Sequence, residues 1–136
     1  MNVVNDVQLI SLRSFKDDGY LVPIEENKEI PFKIARVFYV YGVTPGAVRG
    51  HHAHYECHQA FICLRGKCEV VCDDGKSLKT FLLESPAHAL HVPPGIWATE
   101  KYVSSETILL ALTDQKYDPK DYIKDHEEFV KWRSSK

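Results

Sequence analysis

Long apolar runs, a basic leader segment and a strong net charge are all missing from this 136-residue sequence. No stretch approaches the roughly 18 consecutive apolar residues that a membrane-spanning helix needs. The first ten residues lack the basic segment and apolar run of a secretory signal. A net charge of −2 excludes a broad electrostatic attraction to nucleic acid. We therefore expect a soluble, cytoplasmic protein that binds neither membranes nor nucleic acid and holds any anionic ligand with locally placed cations.

The sequence also lacks cysteine pairs of the kind that bind zinc. Its four cysteines stand at positions 57, 63, 68 and 72, and none forms a C-x-x-C pair. We interpret them as reduced, buried or half-buried thiols, because a reduced cysteine packs as a small hydrophobe. The length and the apolar fraction of 44% are sufficient for one domain with its own core, predicted to span residues 1–136.

Short segments rich in β-branched and aromatic residues recur between turns that contain Gly, Pro or Asp. We predict a strand around His52 and His54 and further strands at residues 7–12, 19–24, 34–43, 59–64, 67–72, 78–83, 88–92, 97–103 and 107–112. Strands at such spacing, without an internal repeat or a linker, are typical of an all-β sandwich or barrel.

The last segment of the chain changes period. Asp118 followed by Pro119 is the pattern of a helix N-cap with proline at the first helical position. Tyr122, His126 and Phe129 then recur at helical spacing. We predict one C-terminal helix that begins at this cap and packs on the outside of the β-structure.

Two histidines stand at the centre of a longer pattern. Gly46 is followed after five residues by His52-x-His54, after four more by Gln59 and after six more by Gly66. Alternate residues of a strand share a face, so the two histidines should point the same way. The pattern resembles the first cupin motif, in which two strands of a small β-barrel direct ligands into its mouth. The resemblance implies a cupin, RmlC-like jelly-roll β-barrel with both histidines directed inward.

The second cupin motif is present only in part. Residues 93–95 (PPG) supply its turn, but metal-binding cupins place Glu where this chain has Gln59 and His where it has Ala98. An amide brings no charge to neutralise a divalent cation. We therefore expect no metal and no other cofactor, with the histidines free to exchange protons near neutral pH. The alternative is a metal held by the histidine pair with Gln59, His88 or His91.

Two arginines and two tyrosines are further candidates for a site. Arg36 and Arg49 each offer a planar fork that matches phosphate. In the strand at 34–43 a two-residue period places Arg36 on one face and Tyr39 and Tyr41 on the other, where a phenol could donate a proton or stack on a base. Each has a plainer alternative, which is a surface ion pair for an arginine and a lining aromatic for a tyrosine.

Three segments together point to one family. Residues 31–39 (PFKIARVFY), 49–54 (RGHHAH) and 114–123 (DQKYDPKDYI) resemble the dTDP-sugar 3,4-ketoisomerases, a metal-free cupin family, and the similarity runs from about residue 16 to 130. The resemblance implies conversion of dTDP-4-keto-6-deoxy-glucose into a dTDP-3-keto-6-deoxyhexose, on the way to 3-amino-3,6-dideoxysugars of surface polysaccharide such as O-antigen. It also implies a homodimer that exchanges N-terminal strands.

The same resemblance assigns residue roles. His52, His54 and Tyr39 would be catalytic, and Arg49 would lie near the phosphates. We add a set of predicted substrate-binding residues: Arg36, Gln59, Tyr41 and Trp97. Relatives often carry His where this chain has Ala98, and some carry Arg or Tyr where it has Asp18, and both departures could alter the C4 configuration of the product.

The chemistry is also within reach of the residues themselves. An imidazole can remove a hydrogen α to a ketone, and reprotonation of the resulting enediol at C4 moves the carbonyl to C3. Three alternatives stay open at this point. They are a related dTDP-sugar epimerase that exchanges the C3 and C5 protons, a non-catalytic nucleotide-sugar-binding cupin, and a metal-dependent dioxygenase or isomerase.

Overall fold

Two five-stranded antiparallel sheets form the body of the protein, which is described by a computed structural model of residues 1–136. In chain order the strands are β1 (Gln8–Ser11), β2 (Phe15–Lys16), β3 (Tyr20–Leu21), β4 (Arg36–Val40), β5 (Val48–His54), β6 (Gln59–Arg65), β7 (Cys68–Asp73), β8 (Leu78–Leu83), β9 (His88–Val92), β10 (Trp97–Tyr102), β11 (Ile108–Thr113) and β12 (Tyr122–Ile123). The sheet orders are β1-β9-β6-β11-β4 and β12-β5-β10-β7-β8, and β2 and β3 form a separate hairpin. The predicted all-β jelly-roll fold with one C-terminal helix is confirmed.

The main core fills the space between the two sheets. Along β7 the burial alternates, and Cys68, Val70 and Cys72 are fully buried and face this space. Phe61 and Leu90 meet them from the other sheet. All four cysteines are buried and free, as the sequence predicted.

The outer face of each sheet is covered by a smaller apolar cluster. The chain between β1 and β4 packs Leu12, Ile30 and Phe32 onto the first sheet. The helix α1 (His126–Ser134) packs Phe129 onto Trp97 of the second sheet. The site described below lies where β5 and β10 border the space between the two sheets.

The predicted start of the helix is wrong. Asp118 does accept a hydrogen bond from the Lys120 N–H, but it caps only a 3-10 turn at Pro119–Asp121. The chain then becomes extended in β12, which pairs with His54 and Ala53 of β5, and α1 begins only after the N-cap Asp125. Pairing with a sheet edge satisfies the backbone groups here in place of a helical turn.

No helix in the structure is long and apolar enough to cross a membrane.

A β-bulge interrupts the pairing of β5 with β10. Ala98 pairs with His52, but the next residue of β10 pairs with Gly50, so His51 is left over. Gly50 and His51 both adopt positive φ, at 93° and 56°. An extra residue in one strand shifts the phase of all side chains beyond it. Arg49 and His52, three residues apart, therefore face the same side of the sheet.

Candidate active site

The two histidines of β5 lie side by side, as the alternation of the strand predicts. The ring centroids of His52 and His54 are 5.1 Å apart and the rings meet edge to face. The ring of Tyr122 contacts both, with centroid distances of 4.9 Å to His52 and 4.4 Å to His54. Because β12 pairs with the end of β5, this tyrosine is held over the pair by the backbone of the sheet.

Each histidine has its Nδ1 fixed by an acceptor. The Nδ1 of His52 lies 3.0 Å from the carbonyl oxygen of Gly50, and the Nδ1 of His54 lies 3.0 Å from the Oδ2 of Asp121. A carbonyl or a carboxylate oxygen can only accept, so in each ring Nδ1 carries the hydrogen. The neutral rings therefore present a free lone pair at Nε2. This is the tautomer that a general base needs.

Burial keeps both rings neutral at pH 7. It lowers the pKa of His52 to about 4, and the neighbouring His54 adds to the effect. Burial also lowers the pKa of His54, but there the hydrogen bond and the charge of Asp121 oppose it. An imidazolium that forms on His54 would be stabilised by this carboxylate, as in other histidine–aspartate pairs. His54 is therefore the better equipped of the two to take up a proton.

The Nε2 of His54 is buried and has no hydrogen-bond partner in the protein. An unpaired buried acceptor costs on the order of 1–3 kcal/mol unless a ligand satisfies it. A narrow cleft beside the ring is lined by Arg36 and Gln59 as well as by His54. The guanidinium of Arg36 is held over the rings of Phe38 and Tyr117, at 4.5 and 5.2 Å. Arg36 and Gln59, two of the predicted substrate-binding residues, therefore line the same cleft as His54.

A second cavity, of about 80 Å³, opens beside His52 between the two sheets. It is lined by Arg49 and by Gln59, which also lines the cleft at His54. Arg49 reaches this cavity because the bulge at Gly50 has shifted the phase of β5. Five of the predicted residues thus line two adjoining cavities, namely His52, His54, Gln59, Arg36 and Arg49.

Tyr39 and Tyr41, which were predicted to belong to the site, line neither the cleft beside His54 nor the cavity beside His52. Tyr39 and Tyr41 project from the outer face of β4 and are 65% and 71% exposed, whereas Phe38 and Val40 of the same strand face the cavity. The predicted alternation of β4 is therefore correct, but it carries Tyr39 away from the histidine pair of its own chain. Both tyrosines border an open groove that Arg49 also lines. The groove thus joins these rings to the predicted phosphate-binding cation.

Trp97 also lies away from the cavity. Its side chain is on the opposite face of β10 from Ala98, is 7% exposed and contacts His126 and Phe129. The structure corrects its assignment as a substrate-binding residue. Successive residues of a strand face opposite ways, and the register with β5 turns Ala98 to the cavity side and Trp97 toward α1.

The donor set at the histidine pair fits a metal ion poorly. His54, Cys57 and Asp121 bring ligand atoms within 4.8 Å of one another. However, Asp121 already accepts hydrogen bonds from the backbone N–H groups of Glu56 and Cys57 and from His54. Burial raises the pKa of the Cys57 thiol to about 12, so the thiol keeps its proton, and a metal would need the thiolate. We therefore derive no step through a metal.

The sequence does not reveal the roles of two residues at the histidine pair, Asp121 and Tyr122. Both lie in residues 114–123, a segment that carries the family resemblance. Asp121 reaches His54 across 67 residues of sequence. Only the pairing of β12 with β5 brings the two together, and no local pattern predicts that pairing.

The jelly-roll fold with a histidine pair at the end of the inter-sheet space defines a cupin-type protein. A model of the FdtA family, described as WxcM-like, C-terminal, matches residues 5–134. TDP-4-oxo-6-deoxy-alpha-D-glucose-3,4-oxoisomerase of Aneurinibacillus thermoaerophilus is 39% identical over 130 residues, which cover 96% of this chain and 90% of that one. The chain therefore belongs to the FdtA family.

Solved structures agree with this assignment. QdtA, a sugar 3,4-ketoisomerase from Thermoanaerobacterium thermosaccharolyticum solved with TDP, superposes with a TM-score of 0.94 at 30% identity over 98% of both chains. A 3,4-ketoisomerase from Helicobacter canadensis gives a TM-score of 0.92 at 34% identity over 95% of this chain and 98% of that one. A histidine-to-asparagine variant of QdtA was solved with TDP-4-keto-6-deoxyglucose.

Proposed function

We propose that this protein is a sugar 3,4-ketoisomerase that converts TDP-4-keto-6-deoxyglucose into a TDP-3-keto-6-deoxyhexose. The observation that carries the proposal is the histidine pair, in which both rings are neutral at pH 7 and present a free Nε2. One ring is backed by Asp121, and cations stand on both sides of the pair. The family assignment supplies the substrate class.

The reaction needs only proton transfers. His54 takes the proton from C3, the electron pair of that C–H bond forms a C3–C4 double bond, and the π electrons of the C4 carbonyl move to O4. O4 gains a proton, which gives the enediol. The O3–H proton then leaves, C3 becomes the carbonyl carbon, and C4 receives a proton. His52 is placed to relay the hydroxyl protons. Atoms and electrons balance without an oxidant or a reductant.

The binding residues follow from the charges around the pair. Arg49 holds the diphosphate, since a guanidinium matches its oxygens in a bidentate way. The open groove that Arg49 shares with Tyr39 and Tyr41 receives the thymidine, so Tyr39 binds the nucleotide of its own chain instead of exchanging protons. Arg36 and Gln59 contact the sugar, which extends from the cleft beside His54 past Gln59 into the cavity beside His52.

A homodimer that exchanges N-terminal strands is part of the proposal. The hairpin of β2 and β3 stands apart from both sheets and exposes large apolar side chains, with Phe15 at 53%, Tyr20 at 72% and Leu21 at 63%. Exposed apolar strands of this kind favour pairing with a second chain. Light scattering should give a dimer at micromolar concentration, and replacing Tyr20 and Leu21 by serine should weaken it. A wild-type monomer under these conditions would count against the exchange.

A cytoplasmic location and a role in 3-amino-3,6-dideoxysugar synthesis stay predictions of the sequence.

The decisive experiment is NMR of the protein with TDP-4-keto-6-deoxyglucose in D2O. We expect the carbonyl to move from C4 to C3 and one deuterium to enter at C4. Exchange at C3 and C5 with the carbonyl unmoved would identify an epimerase. Binding without any exchange would identify a nucleotide-sugar-binding protein. Either result would overturn the proposed function.

A further inference from the structure

Glu100 of β10 is a buried acid that the reaction described above does not use. Its side chain is 6% exposed, and its Oε2 has no hydrogen-bond partner in the protein. Acidic residues are rarely buried without a partner, because desolvation of a polar group costs several kcal/mol in the absence of a hydrogen bond. Such a group needs an explanation beyond packing.

The carboxyl group of Glu100 faces the cavity that contains His52. Glu100 lines this cavity together with Arg49, His52 and Gln59. In the register of the sheet Glu100 lies opposite Arg49, and Ala98, two residues earlier on the same face, lies opposite His52. The unpartnered carboxyl oxygen is therefore beside the imidazole and the guanidinium to which the substrate is assigned.

The backbone of β5 leaves room for this carboxyl group. A Cβ added to Gly50 would collide with the Glu100 Oε2 and come within 2.8 Å of the Ala98 carbonyl oxygen. The same glycine supplies the carbonyl that fixes Nδ1 of His52. Gly50 thus positions both groups: its carbonyl orients the imidazole, and its lack of a side chain admits the acid.

Glu100 keeps its proton at neutral pH. Burial raises its pKa to about 8, and the charge of Arg49 opposes this only in part. No ion pair within 4.0 Å joins the two side chains, since Glu100 is absent from every salt bridge in the structure. The other titratable groups that face the acid are Cys68 and Cys72 of β7, Tyr102 of β10 and His52 of β5. Burial raises the pKa values of the two thiols and of the phenol, so these groups stay neutral too.

We propose that Glu100, in its protonated form, is a catalytic residue that donates a hydrogen bond to the keto oxygen of the sugar and stabilises the enediolate as it forms. The inference rests on the proposed function. A donor aimed at the oxygen where charge develops stabilises the transition state most in a site of low polarity. A carboxylic acid kept neutral by an apolar site is a known solution of this kind. The protonated acid thus provides the stabilisation that a metal ion would give in other cupins.

The first test replaces Glu100 by glutamine. The amide still donates a hydrogen bond but is a weaker acid, so we expect kcat to fall about 10- to 100-fold, less than the loss of a whole oxyanion donor, with the KM for substrate and the affinity for TDP nearly unchanged. In the wild type kcat should fall as the pH rises through about 8, where Glu100 loses its proton. That alkaline limb should be absent from the Glu100→Gln variant. A variant with wild-type kcat and an intact alkaline limb would overturn the proposal.

Glu69 offers a matched control. It lies on the neighbouring strand β7 opposite Lys101, one position out of phase with the buried cysteines, and it does not line the cavity. Glu69→Gln makes the same side-chain change outside the cavity and should leave kcat and the alkaline limb as in the wild type. If Glu69→Gln also removed the limb, the limb would not report on Glu100, and the proposal would fail.

A second measurement does not depend on the variant folding. Infrared difference spectra of the wild type at pH 7, recorded with and without TDP-4-keto-6-deoxyglucose, should show a protonated carboxyl band that shifts on binding and disappears above pH 8. The absence of any such band would exclude the proposal. The two hypotheses also fail separately. A wild type that does not move the carbonyl refutes the proposed function, whereas a wild type that does so without this band refutes only the role of Glu100.

Discussion

The Nδ1 of His54 lies 3.0 Å from the Oδ2 of Asp121, although 67 residues separate the two in sequence. Asp121 also accepts the backbone N–H groups of Glu56 and Cys57, at 2.9 and 3.1 Å. The backbone therefore fixes the position of this carboxylate independently of its hydrogen bond with the imidazole. A carboxylate held in this way orients the ring, sets its tautomer and stabilises the imidazolium.

Replacing Asp121 by asparagine should disable the base. The charge and hydrogen bond of Asp121 raise the pKa of His54 against the effect of burial, so their loss should lower that pKa further. We expect the acid limb of kcat/KM to move to lower pH and the plateau rate to fall about 10²- to 10⁴-fold. Rates measured from pH 4 to 9 test both effects. An acid limb that stayed in place would contradict the link between Asp121 and His54.

Asp125 is the matched control for this substitution. Its carboxylate also accepts a backbone N–H, from Glu127 at the start of α1, but it has no histidine partner. Asparagine caps a helix about as well as aspartate, so Asp125→Asn should change the stability little and leave the acid limb of the pH profile where it is in the wild type. Melting curves of both variants separate loss of fold from loss of the base.

Asparagine substitutions at the two histidines should separate their roles. Each keeps a hydrogen-bonding side chain but removes the titratable nitrogen, so folding and TDP binding should survive while turnover falls about 10²- to 10⁴-fold. We expect the larger loss for His54→Asn, both in turnover and in deuterium incorporation at C4, because Asp121 supports only that ring. EDTA should leave wild-type turnover unchanged. If EDTA abolished turnover and Zn²⁺ restored it, the histidines would be metal ligands.

Much of the fold could be predicted because its signals are local. Turns with Gly, Pro and Asp delimit strands such as Leu78–Leu83 and His88–Val92 at the predicted residues. The predicted strand at 19–24 is shorter, because only Tyr20–Leu21 pairs, across a tight turn with Phe15–Lys16. The helix start failed for a related reason: an N-cap pattern at Asp118 does not reveal that the next residues pair with β5.

The site was harder to predict because it depends on phase and on distant pairing. The common face of His52 and His54 follows from the two-residue period of a strand. Arg49 joins them only because Gly50 and His51 adopt positive φ and shift the phase, and a sequence pattern does not show such a bulge. Glu100 could have been found from the two-residue period, because it lies two residues after Ala98, which corresponds to a ligand position of the second cupin motif.

Arg49→Ala should weaken nucleotide binding. Loss of a bidentate charged partner costs about 1.5–3 kcal/mol, which corresponds to roughly 10- to 150-fold in affinity for TDP. Calorimetry measures this directly. Arg65→Ala is the control, since Arg65 forms an exposed ion pair with Glu106 away from the cavity. Unchanged TDP affinity in Arg49→Ala would show that the phosphates bind elsewhere.

Asp74 predicts how the stability of the protein depends on acid. Its carboxylate accepts the backbone N–H groups of Val4, Lys76 and Ser77 at 2.8–2.9 Å, and so ties the N-terminal turn to the turn between β7 and β8. Burial alone would raise its pKa, but these three hydrogen bonds outweigh burial and lower it. A carboxylate whose pKa is lowered by folding stabilises the native state at neutral pH.

The stability from Asp74 should be complete above the pKa of an unfolded aspartate, about 3.9, and should disappear as the pH falls through the lower pKa of the folded state. Asp74→Ala should therefore cost about 1–3 kcal/mol at pH 7, and the difference from wild type should shrink as the pH falls below 4. Asp74→Asn keeps one oxygen for Lys76 and Ser77 but offers only an NH2 group to Val4. We expect the free energy of unfolding of Asp74→Asn at pH 7 to lie between that of the wild type and that of Asp74→Ala. Urea denaturation from pH 7 to 3 tests this order, and a wild-type advantage that stayed constant down to pH 3 would show that Asp74 does not titrate with folding.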